Sequence, residues 1–345
     1  MTQRSIPSEI SRSAKALWTM GPGKLELREE SVPSPGPGEV LVRTLYSAVS
    51  LGTERLVFSG RIPESEWSRM RAPFQAGAFP FPVKYGYAAV GEVVEGPAGR
   101  VGERVFVLHP HQSLFTVPAD AAVPVPHDVP ALRAVLAANM ETALNGLWDA
   151  GASPGDHIAV VGGGVVGLLV ARLCAKLPGT RVTLVDVDPA RADIAQHLGA
   201  DFALPQEAAG EQDIVIHASG HPGGLDTALS LAGQEALVLE MSWYGDQPVS
   251  ASLGGAFHSR RLTLKSSQVG QVPPARRARW SYRRRMETAL SLLRDDALDL
   301  LLEAPVPIDD APRVLPEIFS GHRRVLAQPI VHNHEETVSR DAATS

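Results

Sequence analysis

The chain has 345 residues, enough for two domains that each bury a core. Hydrophobic residues at 44%, charged residues at 20% and a net charge of −6 describe a globular protein with no bulk attraction to nucleic acid or anionic lipid. No run approaches the ~18 apolar residues of a membrane span, and residues 1–20 hold no apolar segment of the signal-peptide kind.

A single cysteine excludes intramolecular disulfides and any multi-thiolate zinc site, and it points to a cytoplasmic protein. Cys174 lies in the apolar helical pattern LLVARLCAKL and reads as a buried, inert thiol.

Residues 1–13 are polar and expected to be loose. From Ala14 the chain is β-rich: AKALWTM, KLELREE and EVLVRTLYSAV read as strands separated by GPG and SPGPG turns. The segment YGYAAVGEVVEG reads as a turn running into a strand, and GERVFVL and LFTVP extend the pattern to about Pro126. This region predicts a small barrel or sandwich. From Ala131, ALRAVLAANMETALNGLWDAG has helical spacing.

Strands and helices then alternate. HIAVVGG, RVTLVDV, DIVIHASG, ALVLEMSWYG and LTLKSSQVG read as strands; VVGLLVARLCAKL, PARADIAQHLG and PGGLDTALSLAG read as helices. Such alternation predicts a doubly wound parallel sheet. After Gln271 the pattern breaks: WSYRRRMETALSLLRD is a helix, and short strands with a helix near 313–319 return the chain to its first unit. The tail 332–345 is polar and expected to be disordered.

Gly162-x-Gly164-x-x-Gly167 follows a strand and opens a helix. The first glycine permits the turn, the second lets backbone approach a pyrophosphate, and the third lets helix and strand pack closely. Nineteen residues on, Asp186 ends the next strand, where a carboxylate accepts from a ribose diol and repels a 2′-phosphate. Arg191 follows to line the adenosine. NAD(H) is therefore preferred over NADP(H).

The order of parts, with VSLGTE (49–54), GYAAVGEVV (86–94), METALNGL (140–147), VVGGGVVG (160–167) and LVDVD (184–188), resembles the medium-chain dehydrogenase/reductase superfamily. The spacing of GTERLVFSG and the following glycine-tyrosine is also similar to its bacteriochlorophyllide dehydrogenase branch. The resemblance spans about Ala14 to Val331. It implies an α/β fold: a Rossmann doubly wound sheet at 139–271, inserted into a β-rich GroES-like catalytic domain formed by 1–138 and 272–345. It also implies a homodimer paired through ALVLEMSWYG.

In zinc members of that superfamily three segments supply metal ligands. By resemblance those positions fall on Leu51, Tyr87 and Ala138, none of which holds zinc in the usual way. A zinc-free protein with no metal is expected. The pair His109-x-His111 has no third ligand nearby and reads as structural histidine.

The resemblance places Thr142 against the nicotinamide ring, Ser267, Gln268 and Val269 at its carboxamide, and Met241 to Trp243 along its edge. Val165, Val166 and Ser219 join the cofactor set. Thr53 takes the hydroxyl position that relays a proton, and Tyr87, a neutral donor, polarises the substrate oxygen. Glu54 is expected to hydrogen-bond Tyr87 and orient it; a phenol that merely fills the zinc hole is the alternative.

Residues 61–87 insert an aromatic, basic segment at the cleft. Trp67, Phe74, Phe79 and Phe81 are candidates for an apolar wall, and Arg69, Arg71, Lys84 and His111 for substrate contacts. Six arginines between 276 and 285 form either a solvated helix face or an anion site. The reading is an NAD(H)-dependent, zinc-independent oxidoreductase interconverting a secondary alcohol and a carbonyl on a polar or anionic small molecule. An ene-reductase using NAD(P)H, or a catalytically silent NAD(H)-binding protein, are the alternatives.

Overall fold

The computed structural model describes residues 12–332. The chain runs β1 (Arg12–Gly21), β2 (Lys24–Val32), β3 (Glu39–Val49), α1 (Leu51–Phe58), β4 (Ala76–Gly77), β5 (Val83–Lys84), β6 (Ala89–Glu95), β7 (Arg104–Val107), β8 (Leu114–Pro118) and β9 (Val123–Pro124). Helices α2 (Ala131–Ala134) and α3 (Ala137–Ala150) lead into β10 (His157–Val161), α4 (Val165–Ala175), β11 (Arg181–Val185), α5 (Ala192–His197), β12 (Asp201–Ala203), β13 (Gln212–His217), α6 (Pro222–Leu231), β14 (Ala232–Glu240) and β15 (Thr263–Ser266). The chain ends with α7 (Pro274–Arg277), α8 (Tyr282–Leu292), β16 (Val306–Pro307), α9 (Ala311–Phe319) and β17 (Gln328–Val331).

Strands β10 to β15 form one parallel sheet in the order β12-β11-β10-β13-β14-β15. Its inner strands β10, β11, β13 and β14 are largely apolar because both faces are covered. Val160, Leu184 and Ile216 pack in the cluster shared with α3 and α4, while Ala159, Val215 and Val238 pack in the cluster built with α6. The order reverses direction at β10, so the C-terminal ends of β10, β11 and β13 border a crevice of the kind that binds nucleotides.

The remaining strands make two further sheets. In one, β17 pairs antiparallel with β3, so the chain's last strand completes a sheet begun by its third. The other is β2-β1-β5-β4. Helix α3 bridges to the parallel sheet: Met140 and Ala143 share one apolar cluster with Phe106 and Val90 on one side and Leu168 and Ile158 on the other.

Several sequence expectations need correction here. The stretch 131–151 is two helices rather than one, since Leu136 ends a turn before α3 begins. The helix expected from Trp280 starts at Tyr282, where the Ser281 side chain accepts from Arg284 N and fixes the N-terminus. The polar ends were expected to be loose, yet Arg12 and Ser13 pair with Val32 and Ser31 in β1, and His332 is buried at 3% exposure. The rest of both ends, 1–11 and 333–345, lies outside the described residues. Among the described residues no helix is long and apolar enough to cross a membrane.

Candidate active site

The glycine loop behaves as its spacing requires. Gly162 has φ +112°, and a Cβ there would stand 2.6 Å from the backbone of Ser219, so only glycine fits. A Cβ on Gly167 would stand 1.8 Å from the Gly162 carbonyl oxygen; that is the close helix-strand contact. A Cβ on Gly164 would meet nothing within 4 Å. Open space therefore lies over the start of α4, where no side chain caps the first-turn N–H groups at Val165 and Val166. A diphosphate fits that cradle electrostatically and sterically.

Asp186 sits at the end of β11 as expected. Its Oδ2 accepts from Gly163 N at 2.5 Å and its Oδ1 from Asp188 N at 2.8 Å, which pins the carboxylate beside the loop. Arg191 lies over Gly163: a Cβ on that glycine would stand 3.0 Å from the Arg191 Cγ. Arg191 and Arg324 both approach the Asp188 carboxylate, at 3.7 and 3.8 Å.

At the other end of the sheet, Ser267 Oγ donates to Asp149, and the Val269 carbonyl accepts from Arg285. The Gln268 side chain accepts from Gly270 N. Met241 covers Gly146, where a Cβ would stand 2.5 Å from its terminal methyl. Thr142 is half-buried and donates to the Ala138 carbonyl.

Tyr87 packs in one apolar cluster with Met241 and in another with Trp67 and Trp243. The side chains of Ser50 and Thr53 lie beside its hydroxyl. Burial first, and then the nearby Glu54 charge, push the phenol up to about 12 against the pull of those two hydroxyls. It stays protonated at neutral pH. Tyr85, edge-on to Tyr87 at 5.9 Å, is raised as well, chiefly by burial.

Glu54 was expected to orient Tyr87 by a hydrogen bond. Its oxygens are engaged elsewhere: Oε1 accepts from Ser50 N at 2.8 Å and Oε2 pairs with His111 Nε2 at 2.9 Å. His111 Nδ1 meets Ser47 Oγ at 2.8 Å, and Ser47 Oγ meets His332 Nε2 at 2.9 Å. Glu54 therefore acts on Tyr87 through charge and not through contact. His111, expected as a substrate contact, is 1% exposed and belongs to this chain behind α1. The reason is topological, because the loop before β8 folds beneath β3.

Removing the imidazole strands a buried carboxylate. His111→Ala is expected to lower stability by about 1–3 kcal/mol for each polar group left without a partner. Urea unfolding checks this through a lower midpoint at unchanged slope; an unmoved midpoint would show that the network carries no stability.

Other substrate candidates are also reassigned. Lys84 is buried and spans Glu30 at 2.5 Å and Gln112 at 2.6 Å, so it is an internal ion pair. Arg71 donates to the carbonyls of Gln75 and Gly77, bracing its own loop. Arg69 is exposed and pairs with Glu66. Phe74 is stacked on His109 at 5.6 Å, away from the Tyr87 cluster. Only Trp67 and Phe79 join the wall beside Tyr87.

His109 stacks on Phe115 at 3.7 Å; burial pulls its pKa down to about 3, and it stays neutral. Cys174 is fully buried with its thiol pushed up to about 12 by burial. Among the described residues no group of three His, Cys, Asp or Glu side chains is placed to hold a metal ion.

Three features escaped the sequence reading. His217 ends β13 directly opposite Glu240 in β14, with Nδ1 at 2.7 Å from Glu240 Oε2 and Nε2 at 2.6 Å from Ser219 Oγ. Burial raises the Glu240 pKa, but the His217 and Ser242 hydrogen bonds outweigh it and hold the carboxylate below its ordinary range. Around this Ser-His-Glu order the N–H groups of Gly220, His221, Gly223 and Gly224 are all engaged within the protein. The available signal was one polar residue at the same end of each of two apolar strands.

The second feature joins the two halves of the cleft. Asp246 N donates to the Arg61 carbonyl at 3.1 Å, Arg61 Nε donates to Asp246 Oδ1 at 2.9 Å, and Gly245 packs so closely that a Cβ would stand 2.5 Å from the Arg61 oxygen. The third is an aromatic-arginine stack on α3 and the segment before α8.

No protein-family model matches the chain. It is 28% identical over 272 residues to a 2-desacetyl-2-hydroxyethyl bacteriochlorophyllide A dehydrogenase of Cereibacter sphaeroides, covering 70% of this chain and 77% of that one. It is 26% identical over 318 residues to a D-guloside 3-dehydrogenase of Escherichia coli K12, covering 82% and 90%.

Among solved structures, an E. coli CFT073 alcohol dehydrogenase complexed with NADH superposes with a TM-score of 0.73 at 17% identity, covering 92% of this chain and 99% of that one. A Sinorhizobium meliloti 1021 dehydrogenase bound to NADP superposes with a TM-score of 0.73 at 19% identity, covering 93% and 99%. The fold is that of the medium-chain dehydrogenases, a Rossmann sheet with a GroES-like catalytic unit, and the chain is an oxidoreductase.

Proposed function

We propose that this oxidoreductase uses NAD(H), without zinc, to interconvert a secondary alcohol and a carbonyl on a polar or anionic small molecule. One observation carries the reading: Tyr87, protonated and beside Ser50 and Thr53, shares an apolar cluster with Trp67 and with Trp243, which follows the end of β14. The relatives named above act on hydroxyl-bearing substrates by their names, which agrees with alcohol chemistry. Asp186 beside the glycine loop favours the unphosphorylated cofactor. The side chains at Leu51, Tyr87 and Ala138 support the zinc-free reading, since none is a zinc ligand in these proteins' usual sense.

The residues would hold the dinucleotide with its diphosphate over Gly164 and the start of α4, its adenosine ribose at Asp186, and its nicotinamide toward Thr142 and the Ser267–Val269 turn. When bound, it supplies or accepts the hydride. Tyr87 donates a hydrogen bond to the substrate oxygen, where negative charge grows as a carbonyl is reduced. The neighbouring hydroxyls of Ser50 and Thr53 hold the phenol in a polar setting on that side. Trp67, Phe79 and Trp243 exclude water from the same wall. The homodimer expected through ALVLEMSWYG needs correction, because that strand, β14, is paired on both sides by β13 and β15; we propose instead a homodimer formed through the sheet edge at β15, where Leu264 is 38% exposed.

Tyr87→Phe is expected to lower kcat by about 10²–10³ with little change in KM, the size of one lost donor to a developing oxyanion. Because the phenol is pushed up to about 12, kcat should show no ionisation of Tyr87 through neutral pH. Full turnover by the variant would end the catalytic role.

The function itself is tested with NADH deuterated at its transferable position and a metabolite extract of the source organism. Deuterium appearing on a carbinol carbon supports the proposal. Deuterium β to a carbonyl would replace it with C=C reduction, and no transfer from NADH or NADPH would favour a silent binding protein.

A further inference from the structure

The arginine run from 276 to 285 divides into two kinds of residue. Arg283 pairs with Glu287, and Arg285 is buried against Glu141. Arg276, Arg277, Arg279 and Arg284 have no carboxylate partner among the described residues, and all but Arg276 are exposed.

Two of the four are held by aromatic rings. The Arg276 guanidinium lies 5.3 Å from the centre of the Trp148 ring, and the Arg284 guanidinium 4.0 Å from that of Trp280. The two indoles are in contact, their centres 4.6 Å apart and their planes tilted by 55°, so the two guanidinium groups are carried on one aromatic pair. A guanidinium lying on an indole keeps its in-plane N–H edge free, and that edge matches a carboxylate or phosphate. The Arg284 side chain is further fixed by Nη1 donating to the Arg279 carbonyl at 2.8 Å, which leaves Nε and Nη2 for an anion. Stacking also lowers the rotamer entropy lost when an anion binds.

The stack stands at one end of the crevice. Tyr282 Oη donates to the Gly270 carbonyl at 2.9 Å and Arg285 to that of Val269 at 2.6 Å, so this segment is tied to the turn assigned above to the nicotinamide carboxamide. We propose that Arg276 and Arg284, braced on Trp148 and Trp280, form a site for the anionic group of the substrate, a small molecule carrying two or more carboxylates or phosphates. The placement at the reacting end rests on the cofactor reading above. The anion affinity rests on the stack alone.

Calorimetry tests it in two steps. NADH is titrated into the wild-type protein and into the double variant Arg276→Gln, Arg284→Gln. The NADH-saturated proteins then receive citrate or inorganic pyrophosphate, the two arms separating carboxylate from phosphate. NADH affinity should be the same in both proteins, while anion affinity falls at least roughly tenfold in the variant. Arg284→Lys should recover little, because it restores charge without the planar fork. Arg313→Gln, on α9 and paired with Asp310, should change nothing.

Equal anion affinity in wild type and double variant would overturn the site, as would no binding of either anion by the wild type. Wild-type affinity in Arg284→Lys would reduce the stack to diffuse charge and also overturn it. Failure of NADH to bind the wild type would instead refute the cofactor reading; citrate titration of the free protein would then decide the stack by itself.

Discussion

Gly164→Ala is expected to leave stability unchanged and to weaken NADH binding, whereas Gly167→Ala is expected to damage the fold itself. The distinction follows from what a new methyl would meet. At Gly164 it meets no protein atom within 4 Å, and the backbone is in an ordinary region. It would stand in the space proposed for the diphosphate. An added methyl in a close contact costs about 1–3 kcal/mol, or roughly 5- to 150-fold in affinity.

At Gly167 the methyl would stand 1.8 Å from a backbone oxygen of the strand-to-helix turn. Backbone cannot swing aside as a flexible side chain does, so α4 must shift from β10 at a cost of about 3 kcal/mol or more. Thermal melts and NADH fluorescence titrations of both variants check the pair. Unchanged NADH affinity in Gly164→Ala would remove the diphosphate from this loop; unchanged stability in Gly167→Ala would refute the packing argument.

The second large effect concerns Arg285, on α8. It is 2% exposed and donates to Glu141 at 3.0 Å, to Asn145 at 2.6 Å and to the carbonyl of Val269. Burial raises the Glu141 pKa, and the Arg285 charge and hydrogen bond only partly offset it, so this carboxylate depends on its partner. Arg285→Met should cost about 3–5 kcal/mol by leaving Glu141 buried and unpaired.

At roughly 2–4 °C per kcal/mol for a chain of this class, the melting temperature should fall by about 10 °C. The double variant Arg285→Met, Glu141→Leu should recover much of the loss, because removing both charges removes the desolvation cost. If the single variant melts with the wild type, or the double variant melts lower still, the pair is not the source of stability.

The alternation of strands and helices from His157 onward, and the glycine spacing, were legible because each is a local pattern with one structural meaning. Gly162, Gly164 and Gly167 sit within a few residues of the contacts that demand them. Helix α1 was missed since LGTERLVF is short and carries a glycine near its start. The substrate candidates fared worse. Lys84 and His111 read as open cleft groups, yet their partners Glu30 and Glu54 lie 54 and 57 residues away in sequence.

No spacing rule connects such pairs; only the folded sheets bring them together. Tyr87 shows the same limit from the other side. Its position was readable, but its neighbours Ser50 and Thr53 lie 37 and 34 residues before it in the chain. The mixed character of the arginine run was invisible for the same reason, since only packing decides which guanidinium finds Glu141 and which finds an indole.

The join between Arg61 and the Gly245–Asp246 turn has a consequence for how the cleft is held shut. One strand-end segment is at once the rim of the dinucleotide crevice and the far wall of the pocket around Tyr87. Any widening of the crevice on this side has to part that seam first. Its ion pair is solvent-exposed on both partners, at 42% and 54%, and so is worth no more than about 1 kcal/mol. The seam is a light latch. Besides that ion pair the seam holds one backbone hydrogen bond, from Asp246 N to the Arg61 carbonyl, so the two walls it joins part together.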